Sequence, residues 1–218
     1  MRIGEILQLL QQEYGVCRFK RDGDPLSVLI ATVLSQNTSD TNSKRAFRSL
    51  IDNFSDWEAV ASASVDEVAQ AIRSGGLAEI KAGRIKVALK QISEKRGCLD
   101  LDFLNELPLS EAKAWLRDLP GVGPKTAGCV LLFSLGKPAL PVDTHVFRVA
   151  KRLGLIDPRV SADKAHDLLE NMVPPEDIYQ FHLHMIEHGR RVCRAQRPHC
   201  SQCILQEICP TFKEDSKK

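Results

Sequence analysis

No stretch of this chain comes near the roughly 20 apolar residues that a membrane-crossing helix needs, so nothing in it reads as a span. The opening Met1-Arg2-Ile3-Gly4-Glu5 lacks the charged and apolar regions of a secretory signal, which leads to the expectation of a reducing, cytoplasmic setting. No segment alternates apolar and polar residues over the length of a strand. There is no internal repeat and no low-complexity linker. An excess of one charge is also missing: 30 Lys and Arg stand against 28 Asp and Glu, so the total does not announce a polyanionic partner. What remains is an ordinary globular composition, 43% hydrophobic and 27% charged over 218 residues, enough for a core in one large domain or two small ones.

What is present is helical periodicity. Ile6, Leu7, Leu10 and Tyr14 share one face of a first helix, Gly4–Tyr14, that Gly15 stops. Asp24-Pro25 supplies an N-cap and a first-turn proline for a helix ending near Ser35-Gln36-Asn37. A third helix, Asp40–Phe54, is expected to bury Phe47, Leu50, Ile51 and Phe54. Ser55-Asp56-Trp57-Glu58 and Ser64-Val65-Asp66-Glu67 read as capping boxes. Ile85, Ala88, Leu89 and Ile92 mark a longer helix after Gly75-Gly76, and Ser110 reads as the cap of the helix carrying Trp115 and Leu116. Further helices are expected over Thr144–Leu153, Ser161–Met172 and Pro175–Cys193, with Lys213–Lys218 a loose charged tail. The fold class is all-α, with about ten helices.

Charge is segregated rather than abundant. Asp52, Asp56, Glu58, Asp66, Glu67 and Glu79 face only Arg73, whereas Lys81, Arg84, Lys86, Lys90, Lys95 and Arg96 face only Glu94. Arg190, Arg191, Arg194 and Arg197 form a second basic group. Such segregation suits a protein with one DNA-facing side; for the 80–96 helix alone a solvated face is the simpler reading. Cys193, Cys200, Cys203 and Cys209 follow C-x6-C-x2-C-x5-C. Four thiolates in a short loop suit either a structural zinc or an iron–sulfur cube, and the single C-x2-C pair leans towards the cube. Cys17, Cys98 and Cys129 lie in or beside apolar stretches and read as small core residues. His184-Met185-Ile186-Glu187-His188 matches the H-x-x-E-H pattern of some zinc peptidases, but no third ligand is evident and ordinary polar-face residues explain it better.

The most informative stretch is Leu119-Pro120-Gly121-Val122-Gly123-Pro124-Lys125-Thr126-Ala127. Pro120 and two glycines make a tight turn, Pro124 takes a first helical position, and the apolar run to Leu135 continues as a helix that Gly136 ends. A glycine turn opening a helix leaves backbone N–H groups free for a phosphate. Lys125 falls in the first turn, where the positive end of the helix disfavours an ammonium and so favours the nucleophilic amine. On the local sequence, catalysis and a phosphate contact are equally open. Asp143, in Pro141-Val142-Asp143-Thr144-His145, reads as a helix N-cap, a role compatible with a catalytic one.

Taken together, Leu119–Ala127, Val142-Asp143-Thr144-His145 and the cysteine spacing resemble the endonuclease III family of DNA glycosylases, over nearly the whole chain. The resemblance implies two helical lobes with a cleft between them: residues 22–135 with the helix-hairpin-helix, and 1–21 plus 136–212 with a structural [4Fe–4S] loop. It implies a bifunctional DNA glycosylase and abasic-site lyase of base excision repair, a monomer on double-stranded DNA in the cytoplasm, associated with the nucleoid. Lys125 and Asp143 would be catalytic, on opposite walls of the cleft. Gln36 would fill the gap left by a flipped base, with a helix-end amide the plainer alternative. Leu77 would be an apolar wedge or, as readily, a buried loop leucine. Gly121, Val122, Gly123, Thr126, His145, Arg194 and Arg197 would contact DNA, and Cys193, Cys200, Cys203 and Cys209 would hold the cluster. Adenine-excising relatives carry glutamate where this chain has Ala31, and thymine-mismatch relatives usually carry tyrosine at the position of Lys125. Oxidised or saturated pyrimidines such as thymine glycol therefore remain as substrate, although Ser35–Asp40 departs from the best-known bacterial form. A glycosylase for uracil, mismatches or other lesions, and a non-catalytic DNA-binding hairpin protein, are the alternatives.

Overall fold

The structure, a computed structural model, describes residues 2–215. Among the described residues every regular element is helical. The chain divides into two compact units, Arg21–Lys137 and the segments flanking it.

The first unit contains α2 (Pro25–Ser35), α3 (Asp40–Asn53), α4 (Trp57–Ser62), α5 (Val65–Ala71), α6 (Ala78–Arg96), α7 (Leu109–Arg117) and α8 (Pro124–Leu135). Its core is α2 packed on α8. Both helices are apolar around most of their circumference, so both are buried on nearly every side. Each fully buried Leu or Ile there contributes about 1.5–3 kcal/mol over leaving it exposed. Local chemistry sets the boundaries. Asp24 caps α2 by accepting the Ser27 N–H at 2.8 Å, and Ser64 and Glu67 form the reciprocal box expected at α5. Gly97, at φ 74, closes α6.

Several expectations need correction here. Asp56, not Ser55, caps α4, because its carboxylate reaches the Ala59 N–H at 2.7 Å. Ser110 lies inside α7, which starts at Leu109 after Pro108 without a side-chain cap. In α3 the buried residues are Ser43, Ala46 and Leu50, while Ile51 is exposed and Phe47 and Phe54 are half-buried. The basic run on α6 is not one solvated face. Lys81 is only 1% exposed, and Lys86 donates to the carbonyls of Ala61 and Ala63 at the end of α4. Lys95 pairs with Asp118, and the Arg96 guanidinium lies 3.8 Å from the centre of the Phe103 ring.

The second unit contains α1 (Arg2–Tyr14), α9 (Thr144–Arg152), α10 (Ala162–Met172), α11 (Ile178–Arg191) and α12 (Pro210–Asp215). Here α11 is central, with α1 and α9 against it. Ile6, Leu7 and Leu10 of α1 are buried, as their spacing predicts. The α11 helix begins three residues later than expected, because Pro175–Asp177 form a 3-10 turn. Residues Pro210–Asp215 form α12, so the charged tail is ordered at least to there; 216–218 lie outside the described residues. No described helix is long and apolar enough to cross a membrane.

Candidate active site and cysteine loop

In the first unit, α7 runs into the glycine turn and α8 leaves it. Leu119 and Val122 are buried and fix the turn, the Val122 N–H donating to the Leu119 carbonyl at 3.0 Å. Gly121 takes φ 80, a conformation glycine adopts without penalty. Gly123 is the N-cap of α8 and has no side chain to offer, so the leading N–H groups of this helix receive no side-chain cap. Lys125 stands in that first turn, half-buried, and its ammonium makes no hydrogen bond or ion pair among the described residues. Gly121 and Gly123 are exposed, whereas Thr126 and Val122 are turned into the core.

Two non-glycine corners of the same unit take the left-handed conformation that side chains seldom adopt. Asn37, at φ 53, follows Gln36 at the end of α2, and Leu77, at φ 51, is the N-cap of α6. Leu77 is 52% exposed, which corrects the buried-loop alternative. An apolar side chain held outward on such a corner costs on the order of 1–3 kcal/mol. What holds it is Lys81, which sequence reasoning missed. Its ammonium donates to the carbonyls of Leu34 and Gly75, each at 2.8 Å, tying the end of α2 to the turn before Leu77. Gln36 is half-buried, and its Oε1 accepts a 2.7 Å hydrogen bond from Arg84 Nη1.

In the second unit, Asp143 is the N-cap of α9, its Oδ1 accepting the Val146 N–H at 2.7 Å. Because this bond uses one oxygen, the half-buried carboxylate keeps a second for other work. The buried segment before it is pinned from two helices. His182 Nδ1 of α11 donates to the Pro141 carbonyl at 2.9 Å. From α10, Glu170 accepts the Leu140 N–H at 2.8 Å and His166 Nδ1 lies 3.0 Å from the Leu140 carbonyl. Nothing in the sequence marked these histidines. His145 faces α11 at its closest approach, where a Cβ on Gly189 would lie 2.8 Å from the His145 Cβ. Arg148 donates there to the Gly189 carbonyl at 2.9 Å.

Cys193, Cys200, Cys203 and Cys209 line one cavity of about 210 Å³, closed by the apolar Val149, Leu153 and Phe212. Arg152 of α9 donates to the carbonyls of Arg194 and Ala195, at 2.6 and 3.1 Å, and its Nη1 lies 3.3 Å from the Cys193 sulfur. Burial pushes the Cys203 thiol up to about 11, the behaviour of a pocket that holds thiolates only against a cation. Among the described residues, no three His, Cys, Asp or Glu side chains converge closely enough to grip one metal ion. The four thiols share the lining of this cavity with His188 and Arg152. Arg194 and Arg197 of this loop are exposed.

The H-x-x-E-H histidines are not on a polar face: each is 1% exposed. His184 Nε2 donates to the Gly15 carbonyl at 2.9 Å, and His188 Nδ1 meets the Tyr14 hydroxyl at 2.9 Å. Of the three cysteines expected in the core, only Cys129 is buried; Cys17 is half-buried and Cys98 exposed.

Residues 30–175 match the model of the HhH-GPD superfamily of base excision DNA repair proteins. The chain is 36% identical over 201 residues to Endonuclease III of Thermotoga maritima, covering 92% of this chain and 89% of that one. Two solved Endonuclease III complexes with DNA, one non-covalent and one a trapped covalent intermediate, share its fold with TM-scores of 0.82. Their identities are 31% and 30%, covering 100% and 99% of this chain and 98% and 97% of theirs. A longer Arabidopsis thaliana relative is 41% identical over 86% of this chain, which spans 61% of its length. The chain belongs to the HhH-GPD superfamily of base excision DNA repair proteins.

Proposed function

We propose that this chain is a bifunctional DNA glycosylase and abasic-site lyase that removes oxidised or saturated pyrimidines, thymine glycol among them, from double-stranded DNA. The observation that carries the reading is Lys125: an amine without a partner among the described residues, on an uncapped helix N-terminus, in a hairpin of this superfamily. A base within a duplex is out of reach, so the target nucleotide is flipped outward. Gln36 fills the vacated space and Leu77 wedges the opposite strand. The Lys125 amine attacks C1′ and forms a C–N bond while the glycosidic bond breaks, the base leaving with the bonding pair and taking up a proton. Positive charge grows on the sugar as that bond breaks, and the free oxygen of Asp143 stabilises it. The amine then holds the opened sugar as a Schiff base. Loss of the C2′ proton expels the 3′ phosphate and nicks the strand. That an Endonuclease III of the same fold was trapped covalently on DNA supports a nucleophilic route.

Arg194 and Arg197, with the open N–H groups of the hairpin, are the phosphate contacts, and the partner is double-stranded DNA in the nucleoid, engaged by a monomer. The four cysteines fit a [4Fe–4S] cluster, which when bound cross-links the loop that presents the two arginines. Ala31 and Lys125 argue for a pyrimidine lesion over adenine excision.

Borohydride reduction on a duplex with one abasic site tests the reading. The intact protein is expected to give a covalent adduct that Lys125→Ala abolishes. Absence of an adduct from the intact protein would leave a monofunctional glycosylase or a non-catalytic binder.

A further inference from the structure

We infer that Arg84 is a positioning residue for base excision: it holds the amide of Gln36 and braces it against the hairpin turn. This deepens the reading above and rests on the gap-filling role given there to Gln36. Arg84 Nη1 donates to Gln36 Oε1 at 2.7 Å across 48 residues of sequence. Its aliphatic stem lies on the turn. A Cβ on Gly121 would meet Arg84 Cδ at 3.4 Å and Cγ at 3.6 Å, ordinary contact distances that place the stem against the turn. Ile80, Val87 and Pro120 complete an open groove around it. The exposed residues Leu77, Ile80, Arg84 and Val87 follow a helical repeat along α6. One side of this helix therefore begins with the proposed wedge and carries the arginine that touches both the hairpin and the gap-filling amide.

The physical effect is pre-organisation. Gln has three side-chain torsions to restrict, and a free glutamine entering a duplex would lose that freedom on binding. A charge-assisted hydrogen bond to Oε1 restricts the side chain beforehand and settles which end of the amide points away from Arg84. The oxygen is engaged, so the NH₂ is the end left to donate. Arg84 is exposed, so replacing it leaves the core untouched.

The test is a double-mutant cycle of Arg84→Ala and Gln36→Ala on the full chain, with single-turnover excision on a duplex carrying thymine glycol, and salt-dependent binding to undamaged duplex. Arg84→Ala is expected to slow excision about tenfold, the worth of one charge-assisted hydrogen bond, and to add almost nothing in the Gln36→Ala background. The slope of binding against salt should stay as in the parent. Additive losses with a salt slope shallower by about one unit would make Arg84 a phosphate contact instead and overturn the inference. So would an unchanged excision rate in Arg84→Ala when Gln36→Ala is impaired. If Gln36→Ala itself excises normally, the gap-filling role fails and this inference with it, while the Lys125 adduct still reports on the lyase separately.

Discussion

Lys81, fully buried, donates its ammonium to the carbonyl of Gly75 at 2.8 Å, and through that bond an internal lysine sets the corner from which Leu77 projects. Burial lowers its pKa, with repulsion from Arg84 adding to the effect.

Replacing Lys81 with Met leaves the carbonyls of Gly75 and Leu34 without this donor and should destabilise the protein by on the order of 2 kcal/mol. The pH dependence has a definite sign. Between the lowered folded value and the ordinary lysine value near 10.4 the unfolded chain binds the proton and the folded one does not, so stability from this site rises with pH. Thermal melts of parent and Lys81→Met across the alkaline range should therefore diverge, the parent gaining. Parallel curves would mean that Lys81 is not desolvated.

At Asp143, cap and catalyst can be separated. Asn is as good an N-cap as Asp, so Asp143→Asn should melt with the parent while excision falls by roughly 100-fold or more. Asp143→Ala should lose the same activity and also about 1 kcal/mol of stability. If Asn retains activity, the carboxylate is only a cap.

Gly189→Ala should be destabilising without touching the chemistry directly. The added methyl would lie 2.8 Å from His145 Cβ and 3.2 Å from Arg148 Nη2, so α9 and α11 must separate. Overpacking of this kind costs about 1–3 kcal/mol, or several degrees in Tm for a chain this long. Calorimetry reads it; an unchanged Tm would show that the two helices yield freely there.

The cysteine loop predicts a coloured protein. Anaerobically purified chain should contain about four irons and absorb near 400 nm, and Cys203→Ser should lose both together with part of its DNA affinity. One zinc and no colour would turn the site into a structural zinc centre.

Much of the framework was legible, because caps are local chemistry. Asp24, Ser64 with Glu67, and Asp143 each occupy the cap that their spacing suggests. The errors came where two neighbours competed for one role, as Ser55 and Asp56 did, or where tertiary packing chose the buried face, as it did in leaving Ile51 exposed on α3. Lys125 stood out through the hairpin around it. Lys81, Arg84, His166 and His182 could not, since each works through backbone carbonyls or an amide that the fold, not a sequence motif, brings to it.

With Leu77 as the proposed wedge, its left-handed corner has a consequence for how fast damage can be sampled. A probe that had to rearrange before touching each base pair would spend time refolding its tip at every step of a search. Here the tip already projects in the unbound protein, and the strain of that posture belongs to the resting fold. Contact with a weakened base step can then follow arrival with no further rebuilding of this turn.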